Sequence, residues 1–252
     1  MNKHLKSILV LLFWLAVWFG LALLVNKPLL LPRPDAVLLR LTALVVTGSF
    51  WHTVCMTLLR ILCGVLIGTA AASAIAVATC RVPLLNTLFA PMLTVIKSTP
   101  VASFIVLAII WIGRDFLPAF IVVLMVLPVV WANVSAGILG TDPLLLEMAH
   151  VYHFSRRRIL RRIYIPSVLP HFLSALRSAL GMAWKAGVAA EVLTVPGVSV
   201  GKFLMEAKLY METTDLFAWT LVVILCSLAI EKLLIAAVGK LASRNRGEGI
   251  AA

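Results

Sequence analysis

Charge is scarce in this 252-residue chain, at 13% of residues, and carboxylates are scarcer still, with 10 Asp and Glu against 22 Lys and Arg. A soluble globular protein carries about 25% charged and about 45–50% apolar residues, whereas here 62% are apolar and mean hydropathy is +1.08. Too few polar side chains remain to cover a water-soluble fold, and the same apolar excess excludes disorder. Cys55, Cys63, Cys80 and Cys226 lie in apolar stretches with no CxxC or His-paired spacing, so they form neither a disulfide framework nor a metal site. No G-x-x-x-x-G-K-[ST] cradles ATP, and neither HExxH nor GxSxG occurs, which removes the usual grounds for an ATPase or a membrane enzyme. No cofactor and no metal are expected on this chain. Its solvent is lipid.

What is present is an excess of positive charge, +12. In a membrane protein such an excess reports cytoplasmic loops and contact with anionic headgroups. A nucleic-acid reading would need a folded soluble face, and none is available.

The first uncharged run, residues 7–26, is 20 residues long, enough to cross a hydrocarbon core of about 30 Å at about 1.5 Å per residue. Pro28, Pro32 and Pro34 then deny helix, and Asp35 is the expected N-cap of a short interfacial helix ending near Gly48. Further spans are expected at residues 53–79, 84–113, 116–139, 167–190 and 216–238. The third is interrupted by Pro91, Lys97 and Pro100. Gly64 and Gly68 make a GxxxG in the second span, which permits close helix approach. The expected architecture is all-α, a polytopic membrane bundle of six transmembrane helices with cytoplasmic coupling helices. Residues 1–52 hold the first span and the interfacial helix, 53–238 a five-helix core, and 239–252 a basic tail.

Six spans place both termini on one side. Residues 141–166 carry Arg156, Arg157, Arg158, Arg161 and Arg162, whereas 191–215 carry Glu191, Glu206, Glu212 and Asp215 against two lysines. The excess of basic residues that marks cytoplasmic loops therefore puts both termini and the arginine block in the cytoplasm.

That block, 141–166, is the most informative segment. Asp142 is a good N-cap and Pro143 suits the first helical position. Leu145, Met148, Ala149 and Tyr152 follow helical spacing and form one apolar stripe. A second helix opens at Ser155 and is expected to stop at Pro166. Two short helices with an apolar stripe and an arginine face suit docking of a soluble partner, or an interfacial hairpin on anionic lipid.

The segment also resembles the EAA loop of permease subunits of bacterial ABC-type importers. That loop reads E-A-A, three residues, G, nine residues, I-x-L-P; here Glu147-Met148-Ala149 is followed at the same spacing by His153 and by Ile163-Tyr164-Ile165-Pro166. Met148, His153 and Ile165 replace alanine, glycine and leucine. The glycine matters most, because His must adopt a positive φ at some cost or turn differently. Lys97-Ser98-Thr99-Pro100-Val101, Ala183-Trp184-Lys185-Ala186-Gly187 and Asp215-Leu216-Phe217-Ala218-Trp219 extend the likeness to the nitrate/sulfonate/taurine-type subgroup. The resemblance implies a type I importer permease in the inner membrane. It further implies a second permease copy as a homodimer, a cytoplasmic ABC ATPase dimer carrying ATP and Mg, and a periplasmic solute-binding protein. Glu147, Met148, Ala149, Tyr152, His153, Ile163, Ile165 and Pro166 would then couple to the ATPase.

Lys97, Arg177 and Lys185 lie in or near apolar spans, where a cation is costly unless it faces a cavity or partner. With Ser98 and Thr99 they are candidates for a path taken by an anionic solute, the dull reading being snorkelling toward headgroups. Glu191 with Lys185, and Glu231 with Lys232, are read as ion pairs that fix packing. The competing function is an ion-coupled secondary transporter, which would need buried carboxylate relays and internal repeats. Neither is evident.

Overall fold

The computed structural model describes residues 3–248, with side chains described at 5, 6 and 8–233. Every regular element among them is helical: α1 Lys3–Val25, α2 Pro34–Val45, α3 Gly48–Arg81, α4 Pro83–Ser98, α5 Val101–Ala108, α6 Leu117–Leu139, α7 Pro143–Val151, α8 Arg156–Ile159, a π turn Leu160–Tyr164, α9 Ile165–Thr194, α10 Val200–Leu209 and α11 Thr213–Glu248. The basic side chains of the 239–252 tail lie outside the described residues.

Among the described residues, four helices are long and apolar enough to cross a bilayer, namely α1, α3, α6 and α11. The pair α4 and α5 makes a fifth candidate, bent by 103° at the Thr99–Pro100 break. Pro100 supplies no N–H to continue α4 and becomes the cap from which α5 restarts. The expected fifth span, 167–190, corresponds to α9, whose 30 residues are long enough; His171, Arg177, Lys185 and Glu191 dilute its apolar character below that of the other spans.

Three sequence expectations are corrected by local geometry. The N-cap of α2 is Arg33, not Asp35, because Pro34 with its fixed φ takes the first helical position; Asp35 instead sits in the first turn and pairs with Arg33 at 3.1 Å. Pro166 does not stop the helix that opens at Ser155. The π turn carries the chain into α9, with the Ile165 N–H bonding five residues back to the Leu160 carbonyl, so the bond that Pro166 cannot make is bypassed. Glu191 is not an ion-pair partner of Lys185: Lys185 is exposed and Glu191 is fully buried.

Two compact units can be described. One joins residues 1–58 with 191–226. Its apolar core comprises Phe50, Val54, Val200, Trp219 and Val222, with the Trp219 ring stacked on Phe203 at 4.9 Å and Phe50 at 5.4 Å. Arg40 of α2 holds Asp215 of α11 through two bonds of 2.6 and 2.7 Å. Beside that core lies a buried polar knot. The Thr57 hydroxyl donates to Glu191 Oε2 at 2.9 Å and accepts the Val200 N–H at 3.0 Å, while the Gly201 N–H reaches the same carboxylate oxygen at 3.3 Å. Gly201 has no alternative here, since a Cβ would overlap the Cβ and backbone of Glu191. Val195, whose N–H bonds to the Glu191 carbonyl, has φ 49°, a strained setting for a β-branched residue that the surrounding bonds must hold.

The other unit joins residues 59–190 with 227–252. Here the GxxxG of α3 has its expected use. A Cβ on Gly64 would come within 2.7 Å of the Ala119 carbonyl, and one on Gly68 within 3.1 Å of Val123 Cα, so α3 and α6 meet backbone to backbone. Ile105 and Ala108 of α5, Leu117 and Ile121 of α6, and Ala186 and Ala190 of α9 form one core.

Candidate functional site: a docking loop and a polar face

The loop after α6 is built by local rules. Asp142 caps α7, accepting the Leu144 N–H at 2.9 Å, and Pro143 opens the helix. At the far end the Phe154 N–H bonds to the Ala149 carbonyl at 2.8 Å and the His153 N–H to the His150 carbonyl at 3.0 Å. These two bonds define a Schellman ending, in which the residue between them must be left-handed. That residue is His153, with φ 50°. The corner expected from the family glycine is therefore kept with a histidine in it, at a conformational cost that glycine would avoid.

The helix so defined stands away from its own chain. Of its nine residues only Ala149 is buried, so the expected stripe divides. Ala149 packs inward, while Leu145 and Met148 are each 41% exposed and Tyr152 69%. Leu144 and Val151, at 69% and 72%, join the outward face, and sequence spacing alone did not single them out. Glu147 is exposed and pairs with no arginine among the described residues. Further along, the Arg158 guanidinium lies over the Phe154 ring at 5.0 Å, which braces α8 against the corner. Ile163 is buried, whereas Ile165 and Pro166 are exposed.

The candidate pathway residues fall in two places. Ser98 and Thr99 both donate their hydroxyls to the Val95 carbonyl, at 3.1 and 2.8 Å, closing α4 at the break. With their hydrogens committed, these hydroxyls can face a solute only as acceptors. Lys97, exposed at the same corner, is left as the cationic group there. Arg177 and Lys185 are exposed on α9, and they share a face with exposed Ser174, Ser178 and Gly181. Ala175, Ala179, Ala183 and Ala186 fill the opposite, buried face. The small and polar members of this strip were missed because each is unremarkable singly; helical periodicity over 174–185 is the signal that finds them. Ala186, beside Lys185 on α9, shares one core with Ile105 and Ala108 of α5 and Leu117 and Ile121 of α6.

Comparison with known proteins decides the class. Residues 64–247 match the family model described as the binding-protein-dependent transport system inner membrane component. The chain belongs to this family. Among curated relatives, the taurine transport system permease protein TauC of Escherichia coli K12 is 24% identical over 86% of this chain and 81% of its own. SsuC of Bacillus subtilis, whose name assigns it to aliphatic sulfonate transport, is 26% identical over 84% of this chain and 78% of its own. The solved structure of an amino acid ABC transporter with histidines superposes with a TM-score of 0.63, covering 81% of this permease and 97% of that chain at 18% identity. The MetNI methionine ABC transporter in inward-facing form gives 0.56 at 18% identity, over 81% and 96%. The permease thus has the type I importer fold and is a multi-pass membrane protein, and the relatives named above are permease components of transporters.

Proposed function

We propose that this permease forms the translocation path for a small anionic solute, of nitrate, sulfonate or taurine type, in an importer driven by a separate ATPase dimer and supplied by a periplasmic binding protein. The observation that carries the coupling half of this reading is the outward apolar face of α7, held rigid by a cap at one end and a Schellman corner at the other. Such a face on a membrane protein's polar loop suits a groove on a soluble partner, and the EAA spacing points to the ATPase. Both termini and the arginine block are assigned to the cytoplasm, with α10 outside, by charge asymmetry. ATP and Mg belong to the partner.

Magnitudes favour a dimer. Burying a large apolar side chain is worth about 1.5–3 kcal/mol, so the five outward residues offer on the order of 10 kcal/mol gross. Association alone costs an estimated 4–15 kcal/mol. One α7 would hold weakly; two, presented together by a pair of permeases, would engage a dimeric ATPase with avidity. A pair of permeases, taken here as a homodimer, is inferred on this ground.

The solute half rests on cations without matching carboxylates. Lys97 at the helix break, and Arg177 and Lys185 on the polar strip of α9, suit an anionic group, and the sulfonate group common to the solutes for which two relatives are named has that sign. Two variants test the proposal. Glu147→Arg or Tyr152→Asp should leave the permease in the membrane while abolishing ATP-dependent uptake and co-purification of the ATPase; normal uptake with the ATPase bound would sink the coupling assignment. Lys97→Met should cut uptake of an anionic solute without loss of assembly, and an unchanged rate would return Lys97 to a snorkelling role.

A further inference from the structure

A cavity in the second unit belongs to neither the docking face nor the polar strip. It encloses about 450 Å³ between the last turns of α3 and α6 and the π turn that leads into α9. That volume is far above the roughly 30 Å³ share of one liquid water and within the range of about 300–1,000 Å³ typical of ligand sites. Its walls are apolar, from Val77, Val134, Ile138, Leu160, Leu169 and Phe172. At the rim stands Arg81, the last residue of α3, exposed and paired with no carboxylate among the described residues. Tyr164, the last residue of the π turn, lines the same cavity. Arg161 and Arg162 of that turn, and Arg156, Arg157 and Arg158 just before it, are exposed as well.

We infer that this cavity is a binding site for an anionic phospholipid, one acyl chain lying along the α3/α6 walls and the phosphate meeting Arg81. An apolar groove in a chain that sits in lipid does not stay empty when an acyl chain can enter. Apolar walls alone would accept any lipid. The unpaired guanidinium at the mouth, beside an arginine-rich turn with no carboxylate of its own, selects negative headgroups. The π turn supplies two of the walls, and such turns recur where a helix serves a site. A lipid seated there would tie α3 and α6 to the helix that follows the docking loop. This inference needs only that the chain sits in a membrane; it does not rest on the identity of the solute or on the ATPase contact.

Cys80 lines the cavity and supplies the probe. Cys55, Cys63 and Cys226 are replaced by Ala, and the full chain with its co-purifying partners is placed in nanodiscs of phosphatidylcholine, with or without phosphatidylglycerol. The rate of Cys80 alkylation by an apolar maleimide is then measured. Phosphatidylglycerol should slow it about fivefold, the worth of one arginine at an anionic surface. Arg81→Gln should remove that difference and Arg81→Lys should keep it. Equal rates in both lipids, or a phosphatidylglycerol effect that survives Arg81→Gln, would overturn the proposal. So would shielding in both lipids that is lifted by stripping off the partners, because the groove would then belong to a protein. If Arg81→Gln fails to accumulate, native mass spectrometry of the unmodified complex decides. Selective retention of phosphatidylglycerol supports the site, and equal retention of phosphatidylcholine refutes it.

Discussion

The helices α7 and α10 are written in the same local grammar and put to opposite uses. Each opens on a side-chain cap, Asp142 or Ser199, and each ends in a Schellman pair of bonds around a left-handed residue that is not glycine, His153 or Met211. Their settings differ. Ser199, Val200, Gly201 and Ala207 are buried around α10, and its first N–H groups are drawn into the Thr57–Glu191 knot. Only Ala149 of α7 is buried. Local sequence thus makes a short capped helix in both places, and burial alone decides whether it completes its own fold or presents an outward face.

This contrast can be broken most severely at Gly201. Gly201→Val places a branched side chain where Glu191 already sits, and we expect loss of the folded permease by fluorescence-detected size exclusion. Leu144→Ala on α7 should leave the folded yield unchanged, although it thins the docking face. A comparable loss of yield from Leu144→Ala would mean that α7 is part of the core after all.

Next in size is Glu191→Ala. It leaves the Thr57 hydroxyl and the Gly201 N–H without the carboxylate, and each unsatisfied buried group costs about 1–3 kcal/mol. A clear fall in melting temperature is expected, with Glu191→Gln between the two. The equivalent removal on α7, Glu147→Ala, touches an exposed carboxylate and should not move the melting point.

The two left-handed corners give a smaller, matched pair. A left-handed residue other than glycine is disfavoured by roughly 1–2 kcal/mol, less for histidine than for most. His153→Gly and Met211→Gly should each stabilise modestly, Met211→Gly by more. A destabilising His153→Gly would show that the imidazole makes a contact worth more than the strain. Smallest of all is Arg40→Met, since a half-exposed ion pair contributes about 0–1 kcal/mol; thermal unfolding should scarcely change.

The sequence discloses most where physics is local. Asp142 and Pro143 were legible because a helix start involves residues within one turn, whereas the corner at His153 was signalled only by the resemblance to a family glycine. The break at Pro100 was legible because proline removes a donor wherever it stands. Pro166 misled for an instructive reason: the expected stop assumes α-helical bonding, and a π turn moves the bonds past the missing N–H. The Arg33 cap of α2 was misjudged because Asp35 has the better capping side chain while Pro34 has the stronger claim on the first helical position. Glu191 could not be read at all. Its hydroxyl partner, Thr57, lies 134 residues away, and the nearer cation, Lys185, offered a plausible but wrong pairing. The α9 strip lies between these cases, since its periodicity is in the sequence but its serines and glycine carry no signal singly.

The central claim, that α7 is the part of this chain that meets the ATPase, is open to one direct measurement. A single cysteine at position 148, in a chain whose four native cysteines are replaced, is treated in membranes containing the co-expressed ATPase with a short thiol-to-lysine crosslinker. The account predicts a product joining permease and ATPase at position 148, and none from a cysteine at position 204 on α10. A product from 204 and none from 148 would contradict it.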